Sequence, residues 1–218
     1  MFNGIISDLG TVSRIVRQNE GTELTVHREE GFKGSEAGES IAVNGGCLTV
    51  RHSTEDTFMV DLSSETFNRT SFRNIKERAR VNLERALQLS DKISGHFVSG
   101  NVDCVGSITS IEHKSGEILF CFEYPPEYIP YIIEKGSVAI DGISLTPFSC
   151  VNNGFTVSII PFTFSHTNLN ARKIGDTVNI ECDMIGKYIY KACEAILLSD
   201  DVEKRASIEL LRKQGFVK

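Results

Sequence analysis

The run IAVNGGCLTV at residues 41–50 returns as VAIDGISLTP at residues 138–147. Each copy has an apolar triplet, then Asn-Gly or Asp-Gly, then a Leu-Thr pair. The match keeps one offset of 97 residues beyond this stretch. It covers residues 58–72 against 155–169, and VNLE at 81–84 against VNIE at 178–181; 12 of these 29 positions are identical. Ordinary composition would give about two by chance. The openings correspond at an offset one shorter, Gly4 with Gly100 and Gly10 with Gly106. A period near a hundred residues is too long for a solenoid unit. The chain therefore reads as a tandem duplication of a whole small domain.

Within each copy, short β-rich runs are separated by clusters of Gly, Asn, Asp and Ser. In the first copy the runs are 11–16, 23–27, 40–43, 47–52, 57–62 and 80–83. In the second they are 106–111, 118–123, 137–140, 145–150, 155–160 and 177–181. Six short strands with tight turns and no long helix predict a small closed barrel. A short helical connection fits residues 67–76, and residues 87–95 form a linker. Beyond the repeat, Ile185, Tyr188, Ile189, Ala192 and Ile196 recur at three- and four-residue spacing, one apolar helix face. That face packs either on its own chain or on another copy. Ser199-Asp200-Asp201 interrupts the helix or caps a second one; Asp200 with Glu203 has capping-box spacing, and Lys213 and Gly215 suit a helix end. The expected organisation is a first barrel with linker at 1–96, a second barrel at 97–186 and a helical segment at 187–218. The fold class is all-β, with two tandem six-stranded barrels and a C-terminal helix.

The net charge of −6, with both signs interleaved, offers no basic footprint for nucleic acid. One local cluster, Arg69, Arg73, Lys76, Arg78 and Arg80, reads as a solvated face or a patch. No stretch approaches the ~20 apolar residues of a membrane span. The start MFNGIISDLG lacks the features of a secretory leader. The six cysteines show neither CxxC nor zinc-site spacing, and a reducing cytoplasm is expected.

Asn44-Gly45 and Asp141-Gly142 suit tight turns at positive φ. Cys47 and Thr49, like Ser144 and Thr146, then project from one face of a strand. Such polar groups need partners if they face a core, or they bind a ligand if they line a pocket. Thr66 and Thr163, common to both copies, end the next strand. They serve either as ligand contacts or as helix caps. No GxGxxG, P-loop, HExxH or GxSxG motif is present.

Taken together, MFNGII, GESIAVNGGCLTV, VNLERAL, SGHFVSGNVD, AIDGISLT and VNIECD resemble the riboflavin synthase family of α-chain type, over nearly the whole chain. The resemblance implies two Greek-key barrels and a homotrimer built through the C-terminal helices. It implies conversion of two molecules of 6,7-dimethyl-8-ribityllumazine into riboflavin and 5-amino-6-(D-ribitylamino)uracil by transfer of a four-carbon unit. No metal or organic cofactor takes part. The reacting site would lie between the first barrel of one subunit and the second barrel of its neighbour.

Carried over by position, the first-barrel contacts fall on Gly4, Ile5 and Ile6, on Cys47, Leu48 and Thr49, and on Asp61, Leu62, Ser63, Ser64, Glu65 and Thr66. Gly100, Asn101 and Val102 adjoin them. The second-barrel contacts fall on Lys135, on Ser144, Leu145 and Thr146, and on Ser158, Ile159, Ile160, Pro161, Phe162 and Thr163. Phe2 and His96 would lie near the reacting face. Cys47 and His96 are the candidates for proton movement or nucleophilic help, and Ser144 and Thr146 for contacts to an anionic donor. Two identical substrates in different roles require two similar but unequal pockets, and Cys47 against Ser144 and Asn44 against Asp141 are differences of that kind. The family's usual second His is Asn101 here, and Asn cannot move protons near neutral pH. Pro147 stands where Val is common and removes a ladder donor. The alternative on the same fold is a non-catalytic lumazine or flavin carrier. Association with lumazine synthase is left open by the sequence.

Overall fold

The computed structural model describes residues 1–18, 21–28, 32, 34–197, 209–210 and 212–213. The first copy contains β1 (Asp8–Gln18), β2 (Gly21–Arg28), β3 (Ser40–Val43), β4 (Gly46–Ser53), β5 (Thr57–Ser63), helix α1 (Ser64–Arg69) and β6 (Arg80–Arg85). The strands close in the order β1-β2-β5-β4-β3-β6. The expected helical connection is there, but it begins earlier and breaks at Thr70 into α1 and a 3-10 turn over Ser71–Asn74.

The second copy has β7 (Cys104–Lys114), β8 (Glu117–Glu123), β9 (Val138–Ile140), β10 (Ile143–Leu145), β11 (Phe148–Val151), β12 (Gly154–Ile159), helix α2 (Pro161–Ser165) and β13 (Thr177–Cys182). Its sheet order, β10-β9-β13-β7-β8-β12-β11, is the same cycle cut open within one strand. The strand expected over 145–150 is thus two strands. Pro147 has no N–H for the ladder, and Ser149 turns through φ +50°. At the matching place β4 has only an irregularity of register between Val50 and His52. The duplication extends to such details: register shifts between Val12 and Arg14 and between Ile108 and Ser110 mark the same bulge twice.

Alternation of buried and partly exposed positions, as along β2, turns one face of each strand inward. Each copy has its own apolar core, one around Leu24, Phe58, Val60 and Leu83, the other around Phe120, Phe122, Val157 and Ile180. The copies meet through polar groups beside a small apolar cluster of Phe2, Ala42, Val98 and Ala139. Asn44 and Asp141 sit at positive φ in matching turns, as the sequence suggests. The two turns touch tip to tip; a Cβ on Gly45 would lie 2.7 Å from the Gly142 nitrogen. Asn82 Nδ2 donates to the Asp141 carbonyl and Asn179 Nδ2 to the Asn44 carbonyl, at 2.9 and 2.8 Å. Ser71 N–H donates to Asn179 Oδ1 and Asn168 N–H to Asn82 Oδ1, both at 2.7 Å. The repeated VN pair is therefore a two-fold docking device. Asn44 and Asp141 belong to this seam and are buried in it, so their difference does not distinguish two pockets.

Helix α3 (Met184–Leu197) follows β13. Its predicted apolar face is uncovered in the single chain: Ile185, Tyr188 and Ile189 are 56, 72 and 59 % exposed. Ser199, Asp200, Asp201, Glu203 and Gly215 lie outside the described residues. None of the described helices is long and apolar enough to cross a membrane.

Candidate active site

The segment preceding each copy's first strand crosses to the other copy. Glu84, on β6, accepts from Asn3 N–H at 2.6 Å and from Gly4 N–H at 3.1 Å. Glu181, on β13, accepts from Ser99 N–H at 2.6 Å and Gly100 N–H at 2.9 Å. So clamped, the Gly4 carbonyl accepts from Ser144 N–H at 2.8 Å, and the Gly100 carbonyl from Cys47 N–H at 2.9 Å. Both glycines have positive φ, and a Cβ would lie 2.6 Å from that of Ser144 or 2.4 Å from that of Cys47. Gly4 and Ile6 thus belong with the second copy, Ile6 packing on its core, rather than with the first-barrel contacts. Gly100 lies on Cys47 as expected.

Between these crossings Phe2 and Val98 pair through their backbones at 2.7 and 3.1 Å. Phe2 is fully buried with Ala42, Val98 and Ala139. It is an anchor for the crossing rather than a group on a reacting face.

His96 comes to the second copy through the same device. Asn3 Oδ1 accepts from Ser94 and Gly95 N–H at 3.1 and 2.8 Å, and the Asn3 carbonyl from His96 N–H at 3.2 Å. This sets His96 Nδ1 2.7 Å from Ser144 Oγ. Nε2 is buried with no partner among the described residues. Burial pushes the imidazole below its ordinary 6.5, with Asp183 pulling the other way. A neutral ring can donate from Nδ1 to Ser144 Oγ or accept from it there. The first copy receives no histidine this way, because His96 precedes only the second.

Ser144, Leu145 and Thr146 line a cavity of 470 Å³ with Glu117, Lys135, Phe148 and Ser158. The break at Pro147 forms its rim: the Pro147 carbonyl accepts from Lys135 N–H at 2.8 Å. Lys135 Nζ stands 5.0 Å over the Phe148 ring, and Ser158 Oγ donates to Glu117. Residue reasoning thus places Lys135, Ser144, Leu145, Thr146 and Ser158 in one cavity. It misses Glu117 and Phe148. The matching face of the first copy carries paired charges instead of Lys135 over an aromatic ring. Arg51, two residues beyond Thr49 as Phe148 is two beyond Thr146, pairs with Glu23 at 3.1 Å and Asp61 at 3.4 Å. Cys47 and Thr49 are exposed on the same strand face. The two faces thus differ in how their charges are held.

The remaining predicted positions divide by role. Leu62 and Ile159 are core residues. The helix-cap alternative holds at Ser63 instead of Thr66: Ser63 Oγ accepts from Thr66 N–H at 3.0 Å. Ser64 and Glu65 are exposed in α1, where Glu65 meets Arg69 at 3.6 Å. Ile160 and Pro161 start α2 without a side-chain cap. Phe162 stacks on His166 with centroids 4.1 Å apart, and the Thr163 carbonyl accepts from Thr167 Oγ1 at 2.8 Å. Ile5 and Asn101 are exposed, and Val102 is half-buried. The clamps Glu84 and Glu181 and the linker anchor Asn3 are functional positions that residue reasoning did not single out. The signal for the first two was the VNLE–VNIE identity. Among the described residues no three His, Cys, Asp or Glu side chains gather as a metal site.

A model of the lumazine binding domain matches residues 3–86 and again 99–183. Riboflavin synthase of Actinobacillus pleuropneumoniae is 40% identical over 219 residues, covering 99% of this chain and 100% of that protein. Riboflavin synthase of Bacillus subtilis (strain 168) is 41% identical over 191 residues, 88% of this chain and 89% of that one. The crystal structure of LumP complexed with riboflavin superposes with a TM-score of 0.79 at 22% identity, covering 84% of this chain and 99% of that one. That likeness establishes the shared fold.

Proposed function

Since the chain belongs to the lumazine-binding domain family that includes these riboflavin synthases, we propose that it makes riboflavin. Two molecules of 6,7-dimethyl-8-ribityllumazine give riboflavin and 5-amino-6-(D-ribitylamino)uracil, the last step of riboflavin biosynthesis. The observation that carries this reading is the paired design of the site. The same Leu-Thr strand occurs twice, each crossed by the other copy's glycine, and one of the two is armed with His96.

The donor lumazine occupies the second-copy cavity, against Lys135, Ser144, Thr146 and Ser158. Its C7 methyl is acidic because the anion delocalises into the ring. His96, held neutral by burial, accepts at Nδ1 from Ser144 Oγ, and Ser144 takes the methyl proton as it passes its own to the imidazole. Ser144 and Thr146 then hydrogen-bond the anion. The acceptor lumazine lies on the first-copy face beside Cys47, Thr49 and Arg51. Most of the acceleration comes from holding two rings face to face.

In keeping with the family resemblance, the proposed reacting pair forms between subunits of a homotrimer, the first barrel of one facing the second barrel of the next. Residues 187–218 form the assembly segment, and the uncovered face of α3 supports this assignment. All six cysteines are unpaired, which suits the cytoplasm.

The test is direct. Purified protein is mixed with 6,7-dimethyl-8-ribityllumazine, and riboflavin absorbance is followed. Steady formation proportional to protein is expected. Tight fluorescent binding without riboflavin at any protein concentration would sink the synthase reading and leave a carrier.

A further inference from the structure

The basic cluster noted in the sequence does not remain a dispersed solvated face. Arg69 turns to Glu65, but Arg73, Lys76 and Arg80 converge on one cleft between the copies. Arg17 joins them from β1 and Arg172 from the second copy. The cleft has a volume of 620 Å³, and none of the lumazine positions lines it. Size alone puts it within the range of small-molecule sites, ~300–1,000 Å³.

Its charge is uneven in one direction. Arg172 is neutralised by Asp141. Among the described residues, Arg17, Arg73 and Lys76 have no carboxylate within ion-pair distance. Arg17 stands 5.4 Å over the Phe67 ring instead. Asp176 is the single carboxylate lining the cleft. Even with Arg80 left out of the count, three cations face one anion. Like charges gathered in a concave site focus the field onto an anionic ligand. Ile75 and Ala79 supply an apolar wall beside the cations.

We infer that this cleft binds a small phosphate monoester, with the phosphate among Arg17, Arg73 and Lys76 and the organic part against Ile75 and Ala79. A monoester carries about two negative charges near neutral pH, the net charge left open by three cations and Asp176. The cleft shares no lining residue with the cavity around Ser144, so such a ligand would bind without occupying that cavity.

Calorimetric titration of the full chain separates the sources of that phosphate. AMP and inorganic phosphate serve as probes, in low salt and at 200 mM salt. Binding of one AMP per chain, weakened at least tenfold by salt and at least tenfold in Arg73→Ala/Lys76→Ala, supports an ester site. Equal binding of inorganic phosphate with the same losses overturns the ester and leaves a site for the phosphate alone. Both changes are on exposed side chains, and circular dichroism with an unchanged lumazine titration verifies the variant's fold. No heat from either probe overturns the inference. So does binding that the double variant leaves intact.

Discussion

Ser144 serves two partners at once: its N–H donates to the Gly4 carbonyl and its Oγ meets His96 Nδ1. Ser144→Ala keeps the first bond and deletes the second. The imidazole then loses the group that fixes its tautomer. Turnover should fall about tenfold to a hundredfold, the cost of leaving a buried polar group unsatisfied, with lumazine affinity much less affected. Equal losses in Ser144→Ala and a His96→Ala/Ser144→Ala double variant would identify the pair as one unit. Unchanged turnover would remove it from the mechanism. Glu84 carries a different signature. Burial raises its carboxyl from 4.5 to about 7, although the amides of Asn3 and Gly4 pull it down. An acid whose folded value lies above its unfolded one favours the fold while protonated. Its contribution is present below about pH 4.5 and is lost as pH rises through 7. Burial raises Glu181 in the same direction. Wild-type protein should therefore lose on the order of 2 kcal/mol between pH 5 and pH 8 through Glu84. Glu84→Gln should flatten that part of a denaturation profile measured across the range. A profile of unchanged steepness would show that this carboxyl does not set it.

Strands and helices follow from sequence where periodicity is strong. All six strands of the first copy stand where alternation and turn residues put them, because one face of each fills a core. The failures have local causes. The strand over 145–150 breaks because Pro147 lacks a donor, a signal that is visible in the sequence but whose outcome depends on whether the neighbouring strand needs that N–H. The crossing of Gly4 onto Ser144 was not legible. Nothing in a linear repeat says that each copy's first segment is exchanged, and only the clamps at Glu84 and Glu181 fix it. Ser144, Thr146, Lys135 and Ser158 were legible through the repeat and the resemblance, whereas Glu117 and Phe148 were not, having no counterpart in the first copy. Helix α3 was legible as an amphipathic stripe, and its exposed face gives an element-scale test. Removing residues from Gly186 onward also removes the Lys187–Asp103 ion pair at 2.7 Å, a partly exposed contact of small value. Both copies should stay folded, while sedimentation should report monomers and turnover should largely vanish. Active monomers would refute the intersubunit arrangement.

At the scale of the molecule, duplication solved one problem and created another. Two similar strand faces arise from one repeated segment, but two independent cores must then be held together. The seam that does this is largely polar, and Asp141 lies within it, fully buried. Its carboxylate accepts from Arg172, from Asn168 Nδ2 at 2.8 Å and from Asn179 N–H at 2.8 Å. A buried ion pair adds little over a well-packed apolar alternative, yet removing one member is costly because the other stays charged and dry. In Asp141→Ala the Arg172 guanidinium, whose Nε already lacks a partner, would lose its counter-ion, and two further donors would lose their acceptor. The expected cost is about 3 kcal/mol or more. The manner of failure matters more than its size. Each copy keeps its own apolar core, so the loss should fall on their coupling. Calorimetry should resolve one cooperative transition in the wild type into two in the variant, with the second copy, open at Pro147, melting first. A single transition within ~1 kcal/mol of wild type would mean that the crossed segments at Phe2 and Val98, rather than the asparagine seam, hold the copies together.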